Sequence, residues 1–111
     1  RDRPAEPSEN VRQRVVAARE RQAERFAETD THCNAHMRAR DVRRYCKPDA
    51  AGQQLLKAAI ERLGLSARAH DRVLKVARTI ADLAGEETVT ATHVAEAVQY
   101  RSLDRSGWGM G

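Results

Sequence analysis

Five stretches of this chain place apolar residues three or four positions apart, the spacing of one helix face. The clearest covers about 67–84, where Val73, Val76, Ala77, Ile80 and Ala84 share a face, with Leu74 and Leu83 at its margins. Leu55, Leu56, Ala59, Ile60 and Leu63 repeat the pattern over about 50–63, and Val94, Ala97 and Val98 over about 91–103. A short helix of about 38–46 carries Val42 and Tyr45. The first helix, about 9–27, has a thin stripe of Val11, Val15, Ala18 and Phe26. The punctuation agrees. Ser8, Asp49, Ser66 and Thr90 are good N-caps, Gly64 and Gly85 suit helix ends, and Pro48 stops the short helix. The expected fold class is all-α: a compact four-helix unit preceded by a long helix that stands as an appendage.

The same pattern divides the chain into a flexible lead-in over 1–7, an Arg-rich helix and connector over 8–33, a helical unit over 34–103 and a loose tail over 104–111. The lead-in starts without Met, as expected of an excised piece or a processed product. Aromatic residues are 4% of the chain, so the core is expected to be small and aliphatic. The net charge of +4 permits nucleic acid as a partner without requiring it, because acidic residues are also abundant. No segment reaches membrane-spanning length, and a cytoplasmic location is expected.

Charge is also sorted within helices. In the first helix Arg14, Arg21 and Arg25 flank one side of the stripe, Arg12 and Arg19 the other, with their heads expected in solvent. In the 67–84 helix, Arg68, Arg72, Lys75 and Thr79 recur at i, i+4, i+7 and i+11 and should form one polar ridge opposite the apolar face. Arg68 breaks a local rule. It lies in a first turn, where free N–H groups already carry positive charge. A solvated cationic face is one reading. The other is an anion site, because a phosphate at the helix N-terminus would relieve the repulsion and meet the guanidinium's planar donors.

His32, Cys33, His36 and Cys46 include the donor types of a zinc site, but their spacing fits no finger and no metal is expected. Cys46 is expected to pack as a small buried residue beside Tyr45. His70 and His93 lie near helix starts and are expected to be solvated or to serve caps. Trp108 in the Gly-rich tail is given no function.

The stretches NAHMRARDVRRYC, LLKAAIERLGLSARAHDRVLKVARTIADLAGEE and TATHVAEAVQYRSLDR resemble the C-terminal part of the Mg-chelatase-related ComM/YifB-like family of AAA+ ATPases. VRQRVVAARERQAER resembles the Arg-rich helix that precedes that part. The resemblance implies an AAA+ lid-type bundle. In such lids a sensor 2 arginine lies in a Ser/Thr-x-Arg pattern at the start of a helix, which Ser66-Ala67-Arg68 matches. It therefore implies that Arg68 contacts the γ-phosphate of ATP in the full-length protein, with Arg72 supporting it from the next turn. It also implies ATP and Mg²⁺ bound mainly outside this chain, an upstream AAA+ core domain, a homo-oligomeric ring, and a DNA motor for branch migration in recombination and natural transformation.

No GxxxxGK followed by Ser or Thr occurs, so this chain alone is not expected to hydrolyse ATP. A reading of a different class is an autonomous basic helical module that binds DNA through Arg68, Arg72 and Lys75 or through the first helix. It predicts salt-sensitive binding by this chain, whereas a lid predicts little or none. A third reading, a module that only holds subunits together, predicts oligomerisation that depends on the first helix.

Overall fold

A computed structural model describes residues 8–29 and 31–103, with side chains to residue 100. The expected lead-in over 1–7 and the tail with Trp108 lie outside the described residues. The elements are α1 (Ser8–Arg25), a 3₁₀ turn (Asn34–His36), α2 (Ala39–Tyr45), α3 (Ala50–Leu63), α4 (Ala67–Leu83) and α5 (Ala91–Leu103). Among the described residues there is no strand. One isolated parallel bridge joins Pro48 to Val89, with Asp49 N–H donating to the Val89 carbonyl at 2.9 Å. The fold is all-α.

Each helix starts and stops for a local reason. Asp49 accepts the Gly52 N–H at 2.8 Å and Ser66 accepts the Ala69 N–H at 3.1 Å, so both act as side-chain caps. Gly64 closes α3 at φ +63°, a left-handed conformation that costs glycine little. Gly85 follows α4 at φ +76°, and the Glu86 N–H returns to the Ala81 carbonyl at 2.8 Å. At α5 a histidine takes part. His93 Nδ1 accepts the Thr90 N–H at 2.9 Å, so its proton sits on Nε2, which lies 3.2 Å from Glu86.

α4 is the central element. α5 packs on α4 and on α3, while α1, α2 and the 3₁₀ turn pack on α4. The core joins Val73, Leu74, Ala77 and Ala81 of α4 to Val42, Cys46, Leu56, Leu65, Val89, Val94 and Ala97, and extends to Phe26 and Met37. The Phe26 and Tyr45 rings meet edge-on, centroids 5.5 Å apart.

Three expectations need correction. Ala84 is exposed rather than on the buried face, and Leu74 is core rather than margin, because α1, α2, the 3₁₀ turn and α5 all pack on α4 and widen its buried face. α1 is an appendage only in its early turns, where Val11 and Val16 are exposed. Its later part is docked, with Ala18 buried and Phe26, just past its end, in the core. Arg25 is not a solvated flank residue, since its head turns inward to Asp82.

Candidate functional site

Arg68 is in the first turn of α4 and is exposed. Ser66 Oγ takes the Ala69 N–H, and the Ser66 carbonyl takes the His70 N–H at 2.9 Å. The N–H groups of Ala67 and Arg68 precede the first intrahelical bond and face outward. Among the described residues, no hydrogen bond or ion pair holds the Arg68 guanidinium. A cation and free backbone donors thus share the first turn of α4, which is the chemistry of an anion site. Arg72, one turn on, is exposed but engaged in an interaction of its own.

The polar ridge expected along α4 does not continue. Lys75 is half-buried and its Nζ lies 3.4 Å from the Ala35 carbonyl. Thr79 accepts from Asn34 Nδ2 at 3.0 Å and donates to the Lys75 carbonyl at 3.1 Å. The 3₁₀ turn covers this part of α4, so only Arg68 and Arg72 remain as an outward cationic pair.

A buried charged network around Asp82 was not expected from the sequence pattern. Asp82, 1% exposed, accepts both ends of the Arg25 guanidinium, Oδ1 at 2.7 Å and Oδ2 at 2.9 Å. Asn34 Nδ2 donates to Oδ2 at 2.8 Å, and Arg78 Nη2 lies 3.3 Å from Oδ1. Arg25 also donates to Asn34 Oδ1 at 2.9 Å. Arg78 then takes the carbonyls of Glu86, Glu87 and Tyr45 at 2.9, 2.8 and 3.3 Å. Burial pulls the Arg78 guanidinium below the usual arginine range, against the opposing pull of Asp82. The network ties α1, the 3₁₀ turn and the segment after α4 to the middle and end of α4. The available signal was Leu74, Arg78 and Asp82 at a spacing of four, one continuous line down the helix.

Cys33 Sγ and His36 Nδ1 face one another at 3.5 Å, whereas Cys46 Sγ points into the core toward Met37 Sδ at 3.8 Å. Among the described residues no group of three His, Cys, Asp or Glu side chains is placed to hold a metal. Likewise, no described helix is long and apolar enough to cross a membrane. His70 Nδ1 lies 3.4 Å from its neighbour Asp71.

Comparison with known proteins agrees with the family resemblance. The family described as magnesium chelatase, subunit ChlI C-terminal, matches residues 5–101. The uncharacterized protein YifB of Escherichia coli K12 is 44% identical over 102 residues, which is 92% of this chain and 19% of that protein. The competence protein ComM of Haemophilus influenzae is 42% identical over 100 residues, 90% of this chain and 19% of its own. An uncharacterized protein of Mycobacterium tuberculosis is 38% identical over 96 residues, 86% of this chain and 19% of its own. The chain therefore spans about a fifth of the length of the curated relatives it matches.

Proposed function

Because the chain belongs to the magnesium chelatase ChlI C-terminal family, as the C-terminal domain of ComM/YifB-type proteins, we propose that it is the lid of an AAA+ ATPase and supplies Arg68 as the sensor 2 arginine. The observation that carries this reading is the placement of Arg68. It is exposed at the N-terminus of the central helix, with no partner among the described residues and two outward backbone donors beside it. That arrangement suits the terminal phosphate of ATP, whose negative charge the helix dipole also favours. Nothing comparable is on offer for the metal, since the chain has no P-loop and the described residues form no acidic cluster. ATP and Mg²⁺ would be held mainly by an upstream core domain, with Arg68 closing on the γ-phosphate and Arg72 steadying it.

An arginine in that position stabilises the charge that develops during phosphoryl transfer. It also makes lid position depend on whether the γ-phosphate is present. The whole protein would be a homo-oligomeric ring acting on DNA, in branch migration during recombination and natural transformation. The competence name of the Haemophilus relative supports that larger role.

The test is ATP turnover by the full-length protein. Arg68→Ala should lower it by about one to three decades, the usual loss for one preorganised charge donor, with folding retained. Arg72→Ala should cost less. Unchanged turnover in Arg68→Ala would remove the sensor role.

A further inference from the structure

α2 with its two ends is a strongly cationic surface, and the lid reading does not use it. Arg38, Arg40, Arg43, Arg44 and Lys47 are all exposed. Among the described residues, no hydrogen bond or ion pair engages the side chains of Arg38, Arg40, Arg43 or Lys47. The Arg44 guanidinium lies over the Tyr45 ring, 5.1 Å from its centroid. The acid within this run, Asp41, is turned inward. It accepts the Arg38 N–H at 3.2 Å and the Thr31 hydroxyl at 3.3 Å. Beside the helix is an open polar cleft of about 490 Å³, lined by Arg38, Arg40, Arg44 and Tyr45 together with Asp41, Thr29, Thr31 and Glu28.

Five like charges on one short segment repel one another, and among the described residues none of them is ion-paired to an acid, although Glu28 and Asp41 share the cleft. Three cations elsewhere in the fold are partnered, by contrast: Arg25 and Arg78 share Asp82, and Lys75 is held by a carbonyl. Arg43 and Arg44 in the last turn suit the helix dipole, but Arg38 and Arg40 at its start oppose it. An external polyanion would offset both costs.

We propose that this face binds the phosphodiester backbone of single-stranded nucleic acid. Two features favour that partner over an acidic polypeptide. Four of the five cations are guanidiniums, whose fork matches phosphate oxygens. The fourth of them is already stacked on an aromatic ring at the edge of the cleft, a platform on which a base can stack and for which a carboxylate has no use. Arg40 and Arg44 are one turn apart, about 6 Å along the axis, so both can follow one strand. This inference rests on α2 alone and stands independently of Arg68.

The experiment is fluorescence anisotropy of a labelled oligo-dT strand titrated with this chain at several salt concentrations. Binding is expected at low salt and should weaken as salt rises, because phosphate contacts release counterions. The variant Arg38→Ala/Arg40→Ala/Arg43→Ala/Arg44→Ala should lose at least tenfold in affinity and flatten the log–log salt slope by on the order of 3. Its four sites are exposed, so its circular dichroism should match the parent. The control Arg68→Ala/Arg72→Ala should stay within about twofold of the parent, since base stacking and phosphate contact would both reside on α2. Absence of binding at about 50 mM salt overturns the proposal, as does loss confined to the Arg68/Arg72 variant. Displacement of the strand by polyglutamate at equal charge would also overturn it, in favour of an acidic protein partner.

Discussion

At the residue scale, the decisive group is Asp82. It is a buried carboxylate with two guanidiniums and an amide on it, and its burial is tolerable only because every lone pair is engaged. Asp82→Ala should therefore destabilise the chain by about 3–5 kcal/mol, because Arg25 and Arg78 are left facing one another out of water. Urea unfolding measures this, and a loss below about 1 kcal/mol would mean that the network is looser than described. Cys46 gives a second test. Burial pushes its thiol up to about 12, with the nearby arginines opposing. The folded state thus favours the neutral thiol, so stability is fully present below the ordinary thiol range and is lost as pH climbs from there toward about 12. A thiol reagent at neutral pH should label half-buried Cys33 in the folded chain and reach Cys46 only after denaturation. Equal labelling of both would contradict the buried placement. Neither Asp82 nor Arg25 stood out as core: Arg25 reads in sequence as a flank residue with its head in solvent, and Asp82 is marked only by its spacing from Leu74 and Arg78. What buries them is the meeting of α1 with α4, residues 57 positions apart, which no local pattern encodes.

Helix by helix, the chain was largely readable. The ends of α3 and α4 were legible because single residues set them: Asp49 and Ser66 by capping, Gly64 by its positive φ. The length of α1 was overestimated because Phe26 continues the apolar stripe, although it belongs to the turn that follows. Gly52 shows what spacing cannot reveal. A Cβ there would lie 2.8 Å from Pro48 Cβ and 3.3 Å from the Thr90 backbone, so the start of α3 is pressed against the segments before α3 and before α5. On helix propensity alone, Gly52→Ala should stabilise by about 1 kcal/mol. We expect the reverse, a loss of about 1–3 kcal/mol from overpacking, read as a lower urea midpoint. A midpoint at or above that of the parent would show that Pro48 yields easily. The α4 ridge failed at this scale too, because Lys75 and Thr79 share a face with Arg68 by spacing but are covered by the 3₁₀ turn.

For the whole molecule, α4 links the parts that matter. Its first turn presents Arg68, and its other end is locked by Asp82 to α1 and by Arg78 to the segment that leads into α5. A push on α1 would thus reach the helix that carries Arg68, as the proposed lid role requires. Arg68 could be singled out as a candidate because a cation in a first turn breaks a local rule. Any further part of the proposed ATP site was not legible, since the chain spans about a fifth of its relatives' length.

The most direct measurement is the affinity of the full-length protein for ATP and for ADP, in the parent and in Arg68→Ala, by titration with fluorescent nucleotides. If Arg68 meets the γ-phosphate, the substitution weakens ATP binding about tenfold or more and leaves ADP binding within about twofold, consistent with losing one charge-assisted contact. If the ratio of the two affinities is the same in both proteins, Arg68 does not reach the terminal phosphate and the lid reading loses its central residue.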